Sequence, residues 1–221
     1  MIVETTNFII SHPFAQSYGK SIADYIEESK TKIYKQFQFP VANWRTKCSV
    51  FLYDDLEKWH TLKTKATAYS DIGIDKDFVV DKKIYLLVTQ DIWTDKLPHE
   101  VAHCSLAEFT KKTMLRCVDE GMACYVETKA KTNYYKDQCL KHPEKIDLTK
   151  LIDTKEYPED KISFYSHSYA LVNGLIDLKD MATFNKFLIQ LSKNNDFVKS
   201  LKTIYDYNIT ALQNKVIARL K

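Results

Sequence analysis

Glycine and proline are scarce, with four and five residues in a chain of 221. That excludes a loop-dominated or disordered protein and leaves few places where a helix must break. Long apolar runs are also missing; nothing approaches the roughly 18 consecutive apolar residues that a membrane helix needs. The first stretch, Met1-Ile-Val-Glu-Thr-Thr-Asn7, has neither a basic n-region nor an apolar h-region. We therefore expect no signal peptide, no membrane partner and a cytoplasmic chain. Cysteines number five, at 48, 104, 117, 124 and 139. Their odd number and irregular spacing give no disulfide framework, and they read as reduced thiols. Net charge is only +3. No basic cluster is interleaved with aromatics, so nucleic acid is not an expected partner. Neither an internal repeat nor a low-complexity linker divides the chain.

What is present is an ordinary globular composition, 45% hydrophobic and 28% charged, long enough for one large domain or two packed lobes. Asn7–His12 reads as a strand, and residues 16–37 as a helix with Tyr18, Ile22, Tyr25, Ile26, Ile33 and Phe37 on its apolar face, stopped at Phe39-Pro40. Lys47–Tyr53 is a strand, and Asp54-Asp55 can cap a short helix reaching about Lys65. Ala66–Val80, with Gly73, reads as an edge strand, and Lys82–Thr89 as a buried strand. After Glu127 no further strand is expected. Lys129–Lys136 continues or frays the preceding helix, His142-Pro143 breaks it, and 141–160 is a polar loop with at most one short helix. Helices over Ser163–Leu178, Met181–Leu191 and Asp196–Tyr205 follow, and Thr210 with Gln213 forms a capping box for the last. The fold class is α+β: a small mixed-sheet lobe over residues 1–110, then an all-helical lobe over 111–221, together one catalytic domain.

The chemistry-bearing stretch is His99-Glu100-Val101-Ala102-His103. Residues four apart stack on one helical face, so both imidazoles can point at one metal ion. Glu100 lies about 100° round from His99, placed to act as general base toward a metal-bound water. The competing reading is an exposed helix that happens to carry two histidines. Its surroundings argue against this. Thr94 is a candidate N-cap, Pro98 falls in the first turn, and Leu97, Val101 and Cys104 make an apolar stripe roughly opposite the histidines. Catalytic zinc takes three protein ligands and one open position. Glu120, in Arg116-Cys-Val-Asp-Glu-Gly-Met-Ala-Cys-Tyr-Val-Glu127, is the next good candidate.

H-E-x-x-H followed by an acidic-E-G-x-A segment resembles the gluzincin metallopeptidases, and most closely their small peptidase MA-like group. That resemblance covers residues 80–221, with a looser fit upstream. It implies that Glu120 is the third zinc ligand. Tyr165-Ser-His-Ser-Tyr-Ala-Leu-Val172 is similar to the family's Y-x-x-[GS]-x-x-L-[LV] helix, which implies that Tyr165 stabilises the oxyanion; His167, two residues on, is the rival donor. One departure is Cys117-Val118, where the family usually carries a large apolar pair such as Trp-Leu.

The resemblance thus implies one zinc ion per chain, held by His99, His103 and Glu120, and a hydrolase acting on a peptide or protein substrate, with Glu100 as base. An edge strand near 67–80 could pair with an extended peptide. Asp119 reads either as a partner orienting a ligand or as an exposed acid. Cys117 and Cys124 share a face with Glu120 and read as small core residues, while His12, His60 and His142 read as structural. The alternative function is a catalytically inactive zincin-fold domain that binds or regulates another protein. Oligomeric state is open.

Overall fold

The computed structural model describes residues 1–40, 43–62, 64, 66–76 and 78–220. The chain divides into two compact units, Met1–Lys112 and Thr113–Lys221.

The first unit carries a five-stranded mixed sheet of β1 (Ile2–Glu4), β2 (Phe8–Ser11), β3 (Cys48–Tyr53), β4 (Ala68–Asp75) and β5 (Phe78–Leu87), in the order β1-β2-β3-β5-β4. The three central strands are parallel, and β1 and β4 run antiparallel at the edges. Period-two alternation sets the faces. On β3, Cys48, Val50 and Leu52 are buried while Ser49, Phe51 and Tyr53 are half-buried. Across the latter face Phe51, Tyr85 and Tyr69 stack, with centroid separations of 5.0 and 4.6 Å. Helix α1 (Gly19–Gln36) buries Ile22, Ala23, Ile26 and Ile33. The short α2 (Leu56–His60) is capped by Asp55, whose side chain accepts from the Glu57 and Lys58 amides. The helix end expected at Lys65 lies outside the described residues.

Two strand assignments change. β1 is not legible as a strand by itself, because three residues are too few for a period to register; its pairing with β2 (Ile2↔Ser11 to Glu4↔Ile9) defines it. Phe78–Val80, read above as the end of the edge strand, belongs to β5, because the chain reverses after Asp75, with Lys76 at φ 54°.

Helix α3 (Leu97–Thr110) packs on α1, β4 and β5. Its stripe of Leu97, Val101 and Cys104 is fully buried, as its spacing predicts. The start differs. Residues Ile92–Lys96 wind as a π-helical turn, with the Asp91 carbonyl accepting from both the Asp95 and Lys96 amides. The chain therefore enters α3 already helical, and Thr94 caps nothing. A buried ion pair ties the other end of α3 to the sheet. Lys82, at 0% exposure, donates to Glu108, to the Thr46 carbonyl at 2.7 Å and to the Thr46 hydroxyl at 3.0 Å.

The second unit is helical, with no strand among the described residues: α4 (Arg116–Tyr125), α5 (Lys129–Lys141), α6 (Leu148–Asp153), α7 (Lys161–Leu178), α8 (Met181–Asn194), α9 (Phe197–Tyr205) and α10 (Ile209–Leu220). Its central element is α7, which touches α4, α5, α6, α8 and α10. Asp147, Asp160, Asp180 and Asp196 each cap the helix that follows, accepting from the amide three residues on. Two expectations fail for capping reasons. Residues 129–136 do not continue α4; Thr128 accepts from the Lys131 amide and starts a separate helix. The expected box of Thr210 and Gln213 does not form, because Asn208 Oδ1 takes the Ala211 amide at 2.8 Å and Gln213 Oε1 is used by the Leu148 amide at 2.9 Å.

The architecture is thus α+β, a mixed-sheet unit followed in sequence by a helical one. Among the described residues no helix is long and apolar enough to cross a membrane.

Candidate metal centre

Three of the predicted residues share α3 in the first unit. The imidazoles of His99 and His103 stand edge to face, with centroids 5.0 Å apart. That is the pairing expected from residues one turn apart, and it brings two nitrogen donors within reach of one ion. His103 is 7% exposed and His99 half-buried. Glu100, next along the helix, is 5% exposed. Besides its apolar residues this helix buries Glu100, His103 and Glu108. Glu108 is paired with Lys82, and His99, Glu100 and His103 lie together nearer the start of the helix.

The first unit also holds a cavity of about 460 Å³, walled by Phe14, Ile22, Tyr25, Val88 and Trp93. None of the predicted site residues lines it. Trp93 lies in the π-helical turn that precedes α3, and its carbonyl accepts from the Tyr25 hydroxyl at 3.0 Å.

In the second unit Glu120 lies in the second turn of α4 and is 3% exposed. The glycine that follows it in the E-G-x-A pattern has a packing role. A Cβ on Gly121 would overlap the Ser168 carbonyl and the Val172 side chain of α7. Only glycine lets the two helices approach so closely. Cys117 and Cys124 are buried thiols. Burial pushes Cys117 up to about 12 and Cys124 well above its ordinary value. Both remain protonated near neutral pH and pack as small core residues, as expected. Asp119 is half-buried in the first turn of α4.

The carboxylate of Glu120 accepts a hydrogen bond from the hydroxyl of Tyr157, a residue in the segment between α6 and α7. Burial and the neighbouring carboxylate raise the phenol, so it keeps its proton and acts as donor. Sequence reasoning missed Tyr157. It is one of 14 tyrosines, and a polar loop gives it no periodic context.

Tyr165 and His167 both lie on α7 and are half-buried. Two residues apart on a helix, they cannot face the same way. Tyr165 stands on the side of Tyr157, with ring centroids 6.3 Å apart, and so on the side where Glu120 is held. Burial lowers the pKa of His167, opposed by Asp160, which leaves its imidazole neutral near pH 7.

No family model matches this chain, and comparison with curated proteins finds no match either.

Proposed function

We propose that the chain is a zinc-dependent metallopeptidase of the gluzincin kind, in which His99, His103 and Glu120 hold one zinc ion. The carrying observation is the His99–His103 pair, two imidazoles 5.0 Å apart on one helix with a buried glutamate between them in sequence. The donor set fits zinc: two imidazole nitrogens and one carboxylate are the ligand types and the number that catalytic zinc takes from a protein. Bound there, zinc would supply Lewis acidity and make water acidic enough to ionise near pH 7.

The remaining steps fall to the protein. Glu100 accepts the proton of the attacking water and delivers it to the leaving amine, so the peptide bond is exchanged for a carboxylate and an amine. Its place next to His99 on α3, at 5% exposure, supports this role. Tyr165 donates a hydrogen bond to the carbonyl oxygen as negative charge develops there, a contribution typically worth about 3 kcal/mol. The side of α7 it occupies, beside Tyr157, favours it over His167.

The test is a Glu100→Gln variant assayed beside wild type on a mixed peptide substrate. Hydrolysis should disappear while zinc content and melting temperature stay unchanged. Equal hydrolysis by both proteins would remove Glu100 from the chemistry. No hydrolysis by zinc-loaded wild type would favour a binding domain that retains the metal site.

A further inference from the structure

We infer that Tyr157 is a positioning residue for Glu120, a role that rests on the zinc reading above. Its hydroxyl donates to Oε1 of a carboxylate that is itself only 3% exposed. The surrounding segment is exposed, and Tyr157 is 44% exposed. A side chain that starts at the surface and ends on a buried carboxylate needs something to aim it. Arg116 does so, with its guanidinium 4.3 Å from the centre of the Tyr157 ring and its Nε donating to the Lys155 carbonyl at 2.8 Å. The Lys161 ammonium lies 5.5 Å from the same ring. Arg116 and Glu120 are four residues apart on α4 and therefore share a face. One end of that face fixes the ring and its backbone, and the other receives the hydroxyl.

Such an arm restricts the rotation of the Glu120 carboxylate before any metal arrives. A donor already oriented loses less freedom on binding, so the metal is held more tightly. Tyr157→Phe is a fine probe, because it keeps the ring on Arg116, Phe164 and Tyr165 and removes only the hydroxyl. Outer hydrogen-bond partners of metal ligands typically contribute about 10- to 100-fold in affinity.

Zinc dissociation constants are measured by chelator competition for wild type, Tyr157→Phe, Glu120→Ala and the double variant. Tyr157→Phe should weaken zinc at least about tenfold. The same change should have no effect in the Glu120→Ala background, because the hydroxyl acts only through that carboxylate. Equal affinity in wild type and Tyr157→Phe would overturn the positioning role and leave the zinc site standing. An equal loss in both backgrounds would also overturn it, by showing a general disturbance of the segment. If Glu120→Ala binds zinc as well as wild type does, the ligand assignment fails and the role of Tyr157 fails with it.

Discussion

Replacing Lys82 by methionine removes an ammonium that is wholly buried and bonded to Glu108 and to both oxygens of Thr46. Removing one partner of a buried ion pair costs about 3–5 kcal/mol, because the other charge is stranded without solvent. The two single variants should not be equal. Glu108 has a second cation, Lys111, at 2.6 Å, and that lysine is 41% exposed. Lys82→Met therefore leaves Glu108 partly compensated and should cost about 3 kcal/mol. Glu108→Leu leaves the ammonium of Lys82 with Thr46 and the face of Trp44, 4.8 Å away, next to the like charge of buried Lys30, and should cost about 5 kcal/mol. In the double variant neither member of the pair is left as a stranded charge, and buried Lys30 keeps Glu27 as its neighbouring carboxylate. The loss should be about 1–3 kcal/mol, mainly the unmade hydrogen bonds of Thr46. Urea unfolding of the metal-free proteins gives all three numbers, and in thermal melts the singles should lie about 6–20 °C below wild type. A double variant as unstable as the sum of the singles would refute this, as would a Lys82→Met cost below about 1 kcal/mol.

Two further predictions concern the helical unit. Gly121→Ala forces a methyl onto the Ser168 carbonyl of α7 and should destabilise by about 1–3 kcal/mol or more; an unchanged unfolding midpoint would show that α4 can shift without cost. Burial lowers the His167 pKa below its ordinary 6.5, so the unfolded chain binds this proton more readily than the folded one. The contribution of His167 is fully present above about pH 6.5 and is lost as pH falls toward the folded value. His167→Gln should therefore flatten the stability curve just below pH 6.5, and a curve parallel to that of wild type would contradict the assigned burial.

The α3 stripe was readable because Leu97, Val101 and Cys104 repeat at helical spacing and all three are buried. The same spacing pairs His99 with His103. Features that depend on a distant partner were not readable. β1 exists through its pairing with β2, and Gln213 is diverted from its helix by Leu148. The start of α3 was misread because Thr94 is a good cap in isolation, whereas the π-helical turn before it leaves no amide to cap. Tyr157 could not be singled out at all, since its hydroxyl is aimed by Arg116, some forty residues earlier in the chain. Gly121 could be recognised as part of a pattern, but its reason, the close approach of α7, needed coordinates.

The central claim is the metal site, and the most direct measurement is the metal content of purified wild type and Glu120→Ala side by side. We expect one zinc per chain in wild type and little or none in the variant. No zinc in wild type, even after reconstitution, would contradict the catalytic account and leave the two histidines as features of a binding helix. Zinc held equally by the variant would mean that another residue is the third ligand.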